Sequence, residues 1–338
     1  MSTRGALDIV TLPTGSGVVN EGLYLSEVSP HHKSWDQHRG EADDVTEVYA
    51  GSPSRKHHRY AERVAGCAQV LEFARDPPSN AGKSRLKLKS VWFCRVRHCP
   101  VCQWRRSLMW QVRVYRALPL LIRDYPETRF LFLTLTVRNC PVDQLRSTLR
   151  NMAKAWKRMN ELQVWPAIGW VRSVEITRSQ RDRSAHPHYH CLLMVPPTYF
   201  KGDYLKQHDW AVLWQQSLRV AYRPVVDVRG VRPERRLSSG RVVPAPWNIW
   251  GAVIEILKYA VKPSDMIRDP GWFWRLVDEV HKTRAVAIGG VLKQYIRKHE
   301  EEDLISESGD LQLSEEMERL YFYWQQRIRR YQQRSLKQ

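Results

Sequence analysis

The chain reads as an α+β protein, and three stretches carry that reading. Residues 130–137 (Phe-Leu-Phe-Leu-Thr-Leu-Thr-Val) have the branching and two-residue alternation of a strand. Apolar residues then recur at Val142, Leu145, Leu149, Met152, Trp156, Met159 and Leu162, steps of three and four that define one helix face. Residues 170–178 and 186–195 are two more strand-like runs around a polar turn at 179–184, which a hairpin joins economically. This order of strands and helices predicts layered α+β packing.

Taken in order, residues 1–60 carry many Gly, Ser, Pro, Asp and His without a sustained period, and read as a flexible N-terminal arm with at most one short helix. The His31-His32 and His57-His58 pairs then sit in solvated loops, since nothing nearby completes a ligand set. Residues 61–128 form a basic, Cys-rich segment. Within it, residues 85–89 alternate like a half-exposed strand, and 104–122 read as a helix bearing Arg105, Arg106, Arg113 and Arg116. Residues 129–298 hold the α+β elements. After the hairpin come a helix at about 204–221, a strand at 225–228, a basic Pro-containing loop at 230–246, a helix at 247–261 stopping at Pro263, a helix at 272–280 and a strand at 284–292. In residues 299–338, apolar Leu313, Met317, Leu320, Trp324 and Ile328 predict a C-terminal amphipathic helix that packs back.

Composition narrows the function. Lys and Arg number 54 against 35 acidic residues, a formal charge of +19 on 338 residues. That excess predicts a polyanionic partner, nucleic acid before a membrane surface, because no amphipathic anchor stands out. Residues 81–129 alone hold twelve basic residues and two acids, more than half of the net charge. No apolar run approaches the ~20 residues of a membrane span, and the first residues do not read as a secretory leader, so a cytoplasmic protein is expected. No GxxxxGK[ST] segment occurs, which excludes a fused P-loop motor.

Three constellations bear chemistry. The first is His186-Pro-His188-Tyr-His190. On a strand, alternate side chains face one way, so three imidazoles project from one face and form a chelate held by a rigid backbone. Glu175 lies on the partner strand of the hairpin and supplies an oxygen ligand if the register sets it opposite His188 or His190. Mixed His and carboxylate ligation suits Mg²⁺ or Mn²⁺ with positions left open for a phosphate. The second is Glu255-Ile-Leu-Lys258-Tyr259-Ala-Val-Lys262. On a helix, Glu255 and Tyr259 are neighbours, as are Lys258 and Lys262, giving a phenol beside a carboxylate and two phosphate-binding cations. From these residues alone, a solvated Glu/Lys helix that happens to carry a Tyr is the favoured account. The third is Cys94-Arg-Val-Arg-His98-Cys99-Pro-Val-Cys102, with Cys67 upstream. A Cys-x-x-Cys knuckle with two further thiols suits tetrahedral Zn²⁺, with Cys67 favoured over His98 as fourth ligand. Such a closed site is structural and braces a basic DNA-docking surface. Cys140 and Cys191 stand apart and read as ordinary buried residues.

Taken together, these residues resemble the rolling-circle plasmid replication initiators of the HUH endonuclease superfamily, above all the single-tyrosine Rep family. Phe132 to Thr136 (FLTLT) is similar to that family's first motif, His186 to Leu193 (HPHYHCLL) to its second and Glu255 to Lys262 (EILKYAVK) to its third. The segment FCRVRHCPVC is similar to its upstream Cys-rich block. The resemblance covers about residues 60–292. It implies an antiparallel five-stranded HUH-type sheet with packed helices, and a nicking and joining reaction on single-stranded or hairpin origin DNA. Tyr259 would be the nucleophile that forms a 5′-phosphotyrosyl link, and Glu255 would activate water for the terminating cleavage. His188, His190 and Glu175 would hold the divalent cation, with His186 an additional residue that orients or supplements the set. Host helicase and polymerase are the expected partners. A transposase or relaxase of the same superfamily, and a non-catalytic zinc-bearing DNA-binding regulator, are the alternative readings.

Overall fold

The computed structural model describes residues 23–75, 86–202, 204–231, 234–236, 242–244, 247–258, 261–296, 304–305 and 318–334. In chain order these form α1 (Leu25–Val28), α2 (Lys33–Ala50), α3 (Arg55–Gly66), β1 (Val70–Arg75), β2 (Leu86–Val91), α4 (Pro100–Asp124), β3 (Arg129–Thr136), α5 (Leu145–Asn160), β4 (Gly169–Arg178) and β5 (Ala185–Val195). There follow α6 (Gln207–Leu218), β6 (Val226–Val231), β7 (Glu234–Arg236), β8 (Val242–Pro244), α7 (Trp247–Ile256), α8 (Pro263–Arg268), α9 (Pro270–Glu279), β9 (Val286–Gly290), α10 (Leu292–Tyr295), β10 (Glu318–Gln325) and β11 (Arg330–Gln333).

The α+β expectation holds, with a five-stranded antiparallel sheet in the order β6-β3-β5-β4-β9. Strand alternation divides its residues between two helical layers. Leu131, Leu133, Tyr189 and Leu193 pack with Met152 and Trp156 of α5 and with Trp210 and Trp214 of α6. On the other face, Phe130, Phe132, Val171, Leu192 and Met194 pack with Val253 and Ile256 of α7 and with Ala117 and Leu121 of α4. Each fully buried side chain of this size contributes roughly 1.5–3 kcal/mol, so both layers are held by apolar burial. His188, His190 and Glu175 alternate in step with Leu192 and Val171 and so lie on the α7 face. At the end of β9, Gly290 has φ +58°, and a Cβ there would sit 2.1 Å from the Ile168 carbonyl oxygen, so only glycine lets the chain leave the sheet at this point.

A second antiparallel sheet, β11-β10-β1-β2, corrects the C-terminal expectation. The predicted tail helix is instead a pair of strands among the described residues, and residues 313–317 lie outside them. Leu320 and Trp324 satisfy a helical period, but Leu320, Phe322 and Trp324 also alternate, and pairing with β1 buries all three. Neighbouring aromatics at 321–324 favour a pleated surface as well.

The flexible-arm reading is corrected from residue 23 onward, and residues 1–22 lie outside the described residues. Helix α2 buries Trp35, Ala42, Val45 and Tyr49 at helical spacing, and α3 buries His57, Ala61 and Val64. The stripe was present in the sequence, diluted by the charged residues on the opposite face. His32 and His57 are buried, not solvated, and each pairs with a serine: His32 Nδ1 with Ser29 Oγ at 2.9 Å, and His57 Nδ1 with Ser52 Oγ at 2.7 Å. The predicted loop at 230–246 contains the β7–β8 ladder.

The β4–β5 hairpin is pinned at its turn. Asp269 caps α9 by accepting from Trp272 N–H and also accepts from Arg178 and Arg183, with its oxygens 2.7 Å from Arg178 Nη2 and 2.7 Å from Arg183 Nε. Burial alone would raise the Asp269 carboxyl, but the bonds from Arg183, Trp272 N–H and Arg178 outweigh it and hold the carboxyl below its usual range. Asp269→Ala should therefore cost about 3 kcal/mol at pH 7 in urea unfolding, the low end for a broken buried pair because Arg183 is largely exposed. A group with a depressed folded pKa stabilises above its unfolded value, so the difference from wild type should shrink as pH falls below about 4. A variant equal to wild type at pH 7 would show that the clamp contributes nothing.

Candidate metal centres and catalytic site

The sheet places Glu175 directly opposite His188, and Ser173 opposite His190. Glu175 Oε2 lies 2.9 Å from His190 Nε2 and 3.5 Å from His188 Nε2, and the three residues are all buried. One ligand atom from each falls within 4.8 Å of the others. His188 Nδ1 lies 3.2 Å from the His186 carbonyl oxygen. A carbonyl only accepts, so Nδ1 carries a proton, and Nε2, which faces Glu175, is the nitrogen that a cation would take. His190 Nδ1 sits 3.3 Å from Thr134 Oγ1. Two imidazole nitrogens and one carboxylate make an incomplete coordination shell, a donor set suited to a cation that must also take a substrate oxygen. Burial opposes ionisation of Glu175, but the bonds to His188 and His190 and the Lys258 ammonium hold its carboxyl well below the usual carboxylate range.

His186 is not among the converging ligand atoms, so it does not supplement the set, although its carbonyl engages His188 Nδ1. It follows the alternation, its ring centroid 5.3 Å from that of His188, but its Nδ1 is engaged at 2.6 Å by Asn139 Oδ1. The third motif also differs from the sequence reading. Helix α7 ends at Ile256, so the predicted helix to residue 261 is not continuous, and Tyr259 lies outside the described residues. Lys258 and Lys262 therefore do not share a helix face, since Lys262 is the exposed N-cap of α8. The end of α7 is tied down at two carbonyls: Ser173 Oγ donates to Ile256 and Ser107 Oγ to Leu257. Lys258 Nζ lies 2.5 Å from Glu255 Oε1 and 3.3 Å from Glu175 Oε2. One ammonium thus links Glu255 to the metal-ligand set. Lys258 is engaged by carboxylates in this state and does not stand free for a phosphate.

The four cysteines converge as expected. Cys67, Cys94, Cys99 and Cys102 offer sulfurs within 4.8 Å of one another, all buried. Cys102 Sγ is 3.6 Å from both Cys67 Sγ and Cys94 Sγ. Four sulfurs around a Zn²⁺ at about 2.3 Å would be separated by about 3.8 Å, close to what the chain presents without rearrangement. Hydrogen bonds from Cys67, Cys94 and Cys99 hold the Cys102 thiol below its usual range, while burial and bonds to its neighbours push the Cys99 thiol up. His98 is excluded as fourth ligand: it is buried edge-on against Phe273 outside the cluster. Cys140 and Cys191 are buried apart from it.

Thr134, Ser173 and Ser107 escaped the sequence reading. For Thr134 the signal was there: polar side chains at 134 and 136 alternate with core residues on a central strand, and the register puts them opposite His190 and His188. The two serines gave no signal, because their partners are distant backbone carbonyls.

A family model described as Replication protein matches residues 85–332. The chain is 34% identical over 256 residues to a Protein rep of Streptococcus pneumoniae, covering 74% of each chain. It is 32% identical over 301 residues to a Protein rep of Bacillus amyloliquefaciens, covering 84% of this chain and 86% of that one. A Protein rep of Lactiplantibacillus plantarum is 35% identical over 261 residues, covering 74% and 78%. No solved structure matches the chain. No described helix is long and apolar enough to cross a membrane.

Proposed function

The chain belongs to this replication-protein family, the plasmid rolling-circle initiators, and from that premise we propose that it nicks and rejoins single-stranded origin DNA through Tyr259. The observation that carries the reading is the convergence of Glu175, His188 and His190 beside the Glu255–Lys258 pair. A Mg²⁺ or Mn²⁺ ion held by Glu175, His188 and His190 would withdraw charge from the scissile phosphate. The Tyr259 oxygen forms a bond to phosphorus as the bond to the 3′ oxygen breaks, leaving a 5′-phosphotyrosyl link and a 3′-hydroxyl for the host polymerase. Glu255 accepts a proton from water in the terminating cleavage, with Lys258 holding its carboxylate near Glu175. Zn²⁺ on Cys67, Cys94, Cys99 and Cys102 braces the basic segment and takes no part in the reaction. Lys262 and the other cations draw the DNA in, host helicase and polymerase extend the primer, and the protein acts in the cytoplasm.

The test is to incubate the protein and Mn²⁺ with a labelled single-stranded origin oligonucleotide. The expected product is a covalent protein–DNA adduct of discrete size. A strand that is bound and left intact would favour the non-catalytic regulator and overturn the proposal. The metal assignment has its own check. Removing an outer partner of a metal ligand typically costs 10–100-fold in affinity, so removing a ligand outright should cost more. His190→Ala should weaken Mn²⁺ binding by more than about 100-fold in isothermal titration. An unchanged isotherm would take His190 out of the ligand set.

A further inference from the structure

We propose that a cavity of about 450 Å³ beside the metal-ligand residues is a nucleotide subsite, which takes the single-stranded DNA residue flanking the scissile phosphate. The inference rests on the nicking function proposed above and names where its substrate is gripped. The cavity is lined by Thr136, Arg138, Asn139, His186, Tyr222 and Arg223, among others. It begins where the cation site ends: Thr136 pairs with His188 across the sheet, and the His186 ring lies 5.3 Å from the His188 ring.

Its chemistry matches a nucleotide in three respects. The first is charge. Arg138 and Arg223 are exposed guanidinium groups, and no carboxylate is among the described lining residues. A neighbouring cavity of about 630 Å³ that shares Asn139 is lined by Asp143 and Asp182 as well as by Arg183 and Arg275, so it lacks the unopposed positive charge of the first. The second is a stacking surface. The Arg138 guanidinium lies 4.2 Å from the centroid of the Tyr222 ring, and Tyr222 Oη accepts from Arg138 N–H at 3.1 Å. Unpaired bases stack on guanidinium planes of this kind.

The third is a fixed acceptor. Asn139 Nδ2 donates to Ser184 Oγ at 2.9 Å, which turns Asn139 Oδ1 toward His186 Nδ1 at 2.6 Å. Nδ1 therefore carries the proton, and Nε2 keeps its lone pair for a base N–H. This gives His186 a task outside the metal set. The walls are rigid. Thr136 Oγ1 donates to the Val225 carbonyl at 2.8 Å, and the Trp214 indole donates to the Thr136 carbonyl at 2.8 Å.

The experiment is fluorescence anisotropy of a fluorescein-labelled oligodeoxythymidylate in buffer without added Mg²⁺ or Mn²⁺ and without chelator, where no strand is cut and the cysteine cluster keeps its zinc. Its outcome is therefore independent of whether the wild-type protein forms a covalent adduct. Arg138→Ala and Arg223→Ala should each weaken binding about tenfold, and each should lower the salt slope by about 0.7 if it meets one phosphate. Arg150→Ala, an exposed arginine on α5, is the control for bulk charge. Losses no greater than the control's would overturn the subsite. His186→Ala should weaken the oligonucleotide while leaving Mn²⁺ affinity within about twofold, against the loss of more than about 100-fold expected for a true ligand. A ligand-sized loss of Mn²⁺ in His186→Ala would return the residue to the metal set and equally overturn the assignment.

Discussion

Tyr259→Phe should form no covalent adduct with origin DNA, a loss of at least about 10⁴-fold, while binding the same strand within about twofold of wild type. The size of the effect follows from the chemistry. On the proposed mechanism the substitution removes the oxygen that would bond to phosphorus and leaves the ring. A free phenol has a pKa near 10 and is a weak nucleophile at neutral pH, so the reaction depends on positive charge near its oxygen. On that proposal a cation held by Glu175, His188 and His190, which converge among the described residues, would supply the charge. Metal content and melting temperature should be unchanged, which separates loss of the nucleophile from loss of the fold. Adduct at the wild-type level would mean that a different side chain attacks, and the Tyr259 assignment would have to be abandoned.

Cys99→Ser should emerge with much less than the wild-type complement of bound zinc and should melt more than about 10 °C lower. Cys99 is fully buried, and its position is fixed from both sides: its N–H donates to Val96, and its carbonyl accepts from Gln103 at the start of α4. The four thiols join the end of α3, the connection after β2 and the first turn of α4. Structural zinc contributes about 10–16 kcal/mol of apparent binding free energy, comparable with the whole stability of a typical domain. A serine hydroxyl in the same place is a poor ligand and leaves a buried polar group without a partner. Full zinc content by atomic absorption, together with an unshifted melting curve, would dismiss the metal role of the cluster. A chelator applied to the wild-type protein should reproduce the variant's melting temperature.

The two candidate metal groups were legible for different reasons. A Cys-x-x-Cys knuckle states its own local geometry, so only the more distant Cys67 needed the fold to bring it in. Alternation on a strand put His186, His188 and His190 on one face, but alternation cannot say which of them a neighbour captures. Asn139, forty-seven positions away in sequence, took His186 through its Nδ1. Glu175 was a conditional ligand until the hairpin register set it opposite His188, and the Asp269 clamp at the turn holds that register.

The central sheet and its helices were written in local pattern, because burial on one face imposes a period of two or 3.6 that survives in the sequence. The tail was not. Residues 318–325 satisfy both periods, and the open hydrogen-bonding edge of β1, some 250 residues earlier, decided between them. Helices α2 and α3 likewise owe their order to tertiary burial of Trp35, Tyr49 and Val64, which outweighs a charged composition that argues for disorder. Sequence alone determined the chemistry available to this protein, because residue types and short spacings fix ligands and nucleophiles. Tertiary structure decided which of those groups meet, because register, caps and long-range pairing depend on contacts that no local window contains.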